Sequence, residues 1–346
     1  MKITLSTILL SIFSLAVFAN DGIYLTRGGV IYPTKETNIS IDREILSFKV
    51  HNKIAQVDIQ FVFNNHENIE RKILVGFQAP SAVGDISDVT RNTNQISNFQ
   101  IQNEEHILTY QLKAAECEDC ELKNLKQMQF TQSKSGVFVY LFEMTFKPGI
   151  NKVNHSYTFP ASSNIEINQF YKYILTTGSK WAGGTIRDLT IQIDMGDNKF
   201  FYVKDIFGQK ADWSIIGCGK VVNKKIALYD KDSCRMVRVL TGKLQVNIKD
   251  FKPTKNIEFG VLSMDKQKFI DNSHLSLASA STNDELRLLR NTIYAQQGYT
   301  FKSKDLLDYF SKFDWYIPNP NITPDQINLT DSEKNFLNDI QNEEKK

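Results

Sequence analysis

The chain of 346 residues has little of what usually announces a reaction. Histidine occurs five times, at His51, His66, His106, His155 and His274. None of them forms H-E-x-x-H, and no two stand at the helical spacing that grips a metal. A G-x-S-x-G elbow is absent, so no hydrolase nucleophile of that kind is on offer. Neither a P-loop nor G-x-G-x-x-G occurs, so no nucleotide or other cofactor is indicated. Net charge is nearly missing as well. The 41 basic and 39 acidic residues leave +2, too little to draw the protein to nucleic acid. Beyond the first 19 residues no apolar run is long enough to span a bilayer. With 41% hydrophobic and 23% charged residues, the composition is that of a globular protein, which excludes disorder, collagen and coiled coil as the main class. Carboxylate pairs for glycoside chemistry converge in space and not in sequence, so 39 acidic residues carry no argument either way.

What is present begins with an address. Residues 1–19 read MKITLSTILLSIFSLAVFA. Lys2 precedes an apolar run from Ile3 to Phe18, too short for a comfortable membrane span. Val17 and Ala19 suit the −3 and −1 sites of signal peptidase. The expectation is a cleaved secretory signal with maturation before Asn20. Asn at that position, in place of Cys, argues against a lipid anchor.

Four cysteines follow the signal: Cys117, Cys120, Cys218 and Cys234. Outside the cytoplasm an even count reads first as disulfides. Of the three possible pairings, Cys218–Cys234 with Cys117–Cys120 is favoured. The first would close a loop of roughly 15 residues and stabilise by about 3 kcal/mol in the chain-entropy treatment. Cys117-x-x-Cys120 also matches a redox pair. Its neighbours Glu116, Glu118, Asp119 and Glu121 would raise the thiol pKa, the wrong direction for a nucleophile. A four-cysteine zinc site lacks a second close pair, so no metal is expected.

From Ile39 to about Leu262 the hydrophobic period is two. Leu46, Phe48 and Val50 alternate with polar residues, then Val57, Ile59, Phe61 and Phe63, then Ile73, Val75 and Phe77. Asn64-Asn65 reads as a turn between two of these runs. Leu108, Tyr110 and Leu112 repeat the pattern, as do Val153, Tyr157 and Phe159 after the Pro148-Gly149 turn, and Leu189, Ile191 and Ile193. Residues 137–147 are apolar on both faces, which fits a central strand. His155 falls on the inward phase between Val153 and Tyr157 and reads as a packed strand residue in preference to a general base. The expected class is mainly β: an antiparallel sandwich, as one unit or two, over residues 20–262.

Residues 263–282 lose the alternation and gain Ser, which reads as a linker. The period then becomes helical. Thr282-x-x-Glu285 predicts a capping box. Leu286, Leu289 and Ile293 share one helical face, and Gly298 stops it. A second helix is expected from Ser303. A third is expected behind Thr330-Asp331-Ser332-Glu333, carrying Phe336, Leu337 and Ile340. Residues 283–346 hold 8 basic and 11 acidic groups, against 32 and 28 in residues 20–282. The two parts thus have opposite net signs.

The tail carries Leu286-Arg287-x-x-Arg290-Asn291, Ile293-Tyr294-Ala295, Gly298, Phe301-Lys302-Ser303-Lys304-Asp305-Leu306, Tyr309-Phe310 and Trp315-Tyr316. Over about 283–340 it resembles the YARHG domain, a small module of exported bacterial proteins. The Arg-His of that name is Gln296-Gln297 here, so a role needing a cation or a titrating pair does not carry over. The resemblance implies an extracytoplasmic place and no particular reaction. Residues 20–260 resemble, through DGIYLTRGGVIYP, FKPGINKVNHSYTFP and YILTTGSKWAGGTIRDLTIQID, a β-rich exported bacterial domain of unknown function.

The aromatics allow two readings. Tyr294, Phe301, Tyr309, Phe310, Trp315 and Tyr316 can pack as a mini-core or line an exposed groove. Arg290 and Asn291 stand one helical turn before Tyr294 and could meet its ring or hydroxyl. Trp181, beside Gly183-Gly184, is either a sugar-stacking platform or a buried ring. The residues considered for binding are therefore Trp181, Tyr294, Trp315 and Tyr316, with no catalytic set. The expected role is that of a non-catalytic envelope protein, a β scaffold whose helical module contacts an envelope protein or glycan. The alternatives are a hydrolase of envelope polymer or peptide and an assembly factor that binds strands at a sheet edge.

Overall fold

A computed structural model describes residues 24–25, 28–29, 31–35, 37–80, 83–84, 93–116, 129–130, 137–165, 167–207, 211–228, 233–263, 277, 279–313 and 315–345. The expected signal, Cys117 and Cys120, and most of the expected linker lie outside these residues. Among the described residues no helix is long and apolar enough to cross a membrane.

The alternating segments form hairpins. Strands β1 (Ile39–His51) and β2 (Ile54–Asn65) are joined by Asn52 and Lys53, both with positive φ. Val57, Ile59, Phe61 and Phe63 all point into the core. Asn64 and Asn65 are still part of β2, so the turn expected there comes later. Asn65 instead holds the following loop by donating to the carbonyls of Ile69 and Phe146.

In β1 two apolar sets are out of phase: Ile39 and Ile41 on odd numbers, Leu46 and Phe48 on even ones. Both are buried. A bulge between Ile41 and Arg43 reconciles them. Its by-product is that Glu44, opposite Phe61, is turned inward and fully buried.

The remaining long strands are β3 (Arg71–Pro80), β4 (Ser97–Asn103), β5 (Gln111–Glu116), β6 (Val137–Phe146), β7 (Gly149–Pro160), β8 (Ile167–Ile174), β9 (Ile186–Asp194), β10 (Lys199–Lys204), β11 (Ser214–Ala227), β12 (Ser233–Phe251) and β13 (Ile257–Leu262). The larger sheet runs β8-β13-β10-β12-β9-β1-β2-β7-β4, with β11 also on β12. The smaller sheet centres on β6, between β5 and β3. Long-strand pairings are antiparallel except β9 beside β1. One continuous core joins the inner faces of both sheets, so the β part is a single sandwich.

Tyr110 and Leu112 depart from the expected pattern and are 43% and 45% exposed. β5 lies towards the edge of the smaller sheet, flanked outside, among the described residues, only by the two-residue strand Gln129–Phe130.

The 19-residue strand β12 spans two environments. Residues 234–239 pair with β10 and residues 244–251 with β9. The change occurs at Gly242, which has φ +93 and sits opposite Gly217. A Cβ on Gly242 would lie 2.0 Å from the Ile216 carbonyl oxygen, so this crossing requires glycine.

The same register removes the expected Cys218–Cys234 bridge. Cys218 is opposite Thr241, and Cys234 is opposite Ile226. Seven residues of strand separate those positions on β12, on the order of 20 Å, where a disulfide tolerates about 7 Å between Cα atoms. The two cysteines are not bonded to each other.

Among the described residues the α-helices are α1 (Asn283–Gln296), α2 (Lys304–Phe310) and α3 (Asp331–Glu343). Thr282–Glu285 and Thr330–Glu333 form reciprocal capping boxes, as the sequence predicts. Leu286, Leu289 and Ile340 hold α1 and α3 together. The module's aromatics do not close a core of their own. Phe301, Phe310, Trp315 and Tyr316 share one cluster with Phe170, Phe200, Tyr202 and Met236 of the sheet. Strand β10 therefore buries Phe201 and Val203 in the sandwich and Phe200 and Tyr202 under the module. Each such side chain contributes roughly 1.5–3 kcal/mol of burial.

Candidate functional site

The residues considered for binding are mostly core. Trp181 is 2% exposed, packs on Phe63 at 4.5 Å and donates its indole N–H to the Ile31 carbonyl. A sugar-stacking platform is thereby excluded, because the ring face is already covered. Trp315 and Tyr316 are buried in the shared cluster, and the Tyr316 hydroxyl donates to the Tyr299 carbonyl. Tyr294 is half-buried and packs edge-on against Tyr299. Arg290 and Asn291 bond elsewhere: Arg290 pairs with Glu344, and Asn291 donates to the Arg287 carbonyl.

Buried titratable groups are likewise held by structure. His155 is packed in the sandwich with Nδ1 against the Gln100 carbonyl at 2.8 Å, and burial pushes its pKa down to about 4. Burial pushes the Glu44 carboxyl up to about 8, although the Tyr173 hydroxyl donates to it at 3.3 Å. Among the described residues no three His, Cys, Asp or Glu side chains cluster to hold a metal.

Both parts of the molecule build a cleft of about 600 Å³ where the sheet meets the module. The sheet side supplies Lys53 from the β1–β2 turn, Asn168 and Gln169 from β8, Asp197 and Asn198 from the β9–β10 turn, and Lys199 from the start of β10. Asn198 reaches its position through a positive φ of 55° and an N–H bond to the Leu240 carbonyl. The module supplies Gln296 and Gln297 from the end of α1, then Gln326, Asn328 and the first turn of α3. Gly298, with φ +82, turns the chain away immediately after Gln297.

Glu333 organises the module wall. One oxygen accepts from the Thr330 N–H at 2.7 Å and from its hydroxyl at 2.8 Å, while Gln297 donates to the other at 3.3 Å. The pair that replaces Arg-His thus stands at the cleft, with Gln297 tying α1 to α3. Behind the wall lies Arg238 of β12, fully buried, with none of its three guanidinium nitrogens in a hydrogen bond. Burial pulls its pKa down to about 10, and the Glu333 carboxylate opposes that shift. A cation from the sheet and an anion from the module therefore face each other across the joint, in the sense of the opposite net charges of the two parts.

A second, wider cleft of about 830 Å³ opens beside Trp181. Its Arg71 and Lys72 are already matched by Glu67 and Glu143.

No signal for the amide-lined cleft is visible in the sequence. Its side chains come from six separate segments with no common spacing. Only Gln296-Gln297 stands out, and only against the family name.

Residues 266–345 match the YARHG domain family, so the helical module is a YARHG domain. No curated protein matches the chain. Among solved structures it is similar to the crystal structure of a "putative nutrient binding protein" from Legionella pneumophila subsp. pneumophila str. Philadelphia 1. The two are 21% identical with a TM-score of 0.56, over 93% of this chain and 99% of that one. At that identity the likeness is one of fold.

Proposed function

We propose that the protein is a non-catalytic, exported bacterial envelope protein that binds an envelope component in the cleft between its β-sandwich and its YARHG domain. The observation that carries this reading is the composition of that cleft. Sheet and module each supply part of a polar concave wall, and the one buried carboxylate in it, Glu333, is occupied by Thr330 and Gln297. A carboxylate tied up by cap and amide is poorly placed to act as acid, base or nucleophile. The signal-like pattern of residues 1–19 and the company the YARHG domain keeps support export, with Asn20 as the mature N-terminus.

Strand addition is the weaker reading. Among the described residues β11 is the long strand with a neighbour on one side only. Two bulges interrupt it, and Lys220 lies on it, features that keep foreign strands off an edge.

The test is an NMR titration of the mature chain with solubilised envelope fractions. Shifts confined to Asn198, Gln297 and their neighbours, with the added material unchanged, are the expected result. Release of cleavage products would instead establish a hydrolase, and an unperturbed cleft would remove the binding reading.

A further inference from the structure

The cleft also points to the kind of molecule it takes. We propose that it is a subsite for a neutral saccharide chain, an inference that rests on the binding reading above and narrows it. Seven of its lining side chains are carboxamides, contributed by both walls, Asn168, Gln169 and Asn198 from the sheet and Gln297, Gln326 and Asn328 from the module among them. A carboxamide offers a carbonyl acceptor and an NH₂ donor side by side. A sugar hydroxyl is likewise both donor and acceptor, and an acetamido group presents the complementary pair. Such a surface can satisfy many hydroxyls at once without a fixed charge.

The charges present do not select an ion. Lys53 and Lys199 are set against Asp197, Asp331 and Glu333, so the cleft has no single sign with which to attract a polyanion or a polycation. The N-terminus of α3 also opens here, but the Thr330–Glu333 box already caps it. Its anion-binding capacity is used internally. An apolar ligand fits no better, because Phe200 and Val261 are the only large apolar side chains on the wall. Phe200 is buried, so the apolar area on the wall is small, of the kind a sugar's C–H face meets. The volume of about 600 Å³ lies within the roughly 300–1,000 Å³ of small-ligand sites, enough for a short stretch of chain.

Because each wall belongs to a different part of the molecule, a bound saccharide bridges the sandwich and the YARHG domain. Removing a hydrogen-bonding side chain from either wall should therefore weaken binding to a similar degree.

The experiment is calorimetric titration of the full mature chain with chitotetraose and with maltotetraose, which separate acetamido-bearing from purely hydroxylated sugars. Tetragalacturonate and the capped peptide Ac-Ala-Asn-Ser-Gly-NH₂ serve as the acidic and the peptidic comparison. At least one neutral sugar should bind at up to millimolar concentration. Asn168→Ala on the sheet wall and Asn328→Ala on the module wall should each weaken it, and together by about tenfold or more, since each leaves sugar hydroxyls unmatched. Both side chains are exposed, and an unchanged melting temperature shows that the variants fold. Failure of both neutral sugars to bind overturns the proposal, as does binding indifferent to both substitutions or a preference for the acidic sugar or the peptide. If the sugars fail while envelope material still perturbs Asn198 and Gln297, the ligand class is wrong and the binding reading stands. If both fail, the reading falls with it.

Discussion

Glu44 is a carboxyl group in a hydrophobic core, and its position has a pH signature. Its folded-state pKa of about 8 lies above the ordinary 4.5, so the folded protein holds a proton that the unfolded chain releases. The stability this confers is complete below pH 4.5 and is lost as pH rises towards 8, a change on the order of 4 kcal/mol. Glu44→Gln keeps the shape without the charge. The difference in unfolding free energy between variant and parent should swing towards the variant across that window in urea melts at pH 5 and pH 8. Parallel curves would show that Glu44 is not buried as described. His155 acts in the opposite sense: its contribution is present above pH 6.5 and fades as pH falls towards 4, and it cancels in the comparison. The burial of His155 could be read from its place between Val153 and Tyr157. That of Glu44 could have been, because the change of phase between Ile41 and Leu46 demands a bulge. A reading that starts at Leu46 misses it.

Short-range chemistry was the most legible. Thr282-x-x-Glu285 and Thr330-x-x-Glu333 became capping boxes because all the atoms of such a box lie within one turn of chain. Strand pairing was less legible, since Tyr110 and Leu112 alternate correctly yet lie near an edge, and alternation cannot tell which faces find a cover. The two caps also separate stability from function. Thr282→Ala and Thr330→Ala should each lower unfolding free energy by about 1 kcal/mol. The first should leave the cleft intact. The second frees Glu333 from its hydroxyl bond and should also weaken whatever the cleft holds. Equal effects of the two on binding would show that Glu333 does not organise the wall.

At the level of the molecule, the change of period near residue 282 told where helices begin and concealed how they are covered. A tail rich in aromatics reads as a module with its own core. Here those aromatics complete a cluster whose other half is the outer face of β8, β10, β12 and β13. The missing information is a contact between residues about a hundred apart in sequence, which no local pattern contains. A chain ending before Asn283 should therefore expose Phe170, Phe200, Tyr202 and Met236. It should bind a hydrophobic dye and self-associate on size exclusion, whereas a well-behaved monomer would mean that the sheet face tolerates water.

The parallel pairing of β9 with β1 sets the order of events during biogenesis. β1 is made first but acquires its second neighbour only after residue 194, and β9 in turn stays one-sided until β12 arrives at residues 244–251. Local hairpins can form and dissolve in the meantime, but the large sheet cannot zip up until most of the polypeptide exists. Loop closure over such distances is slow. A nascent chain wired in this way remains threadable for most of its synthesis, as the export proposed above would require.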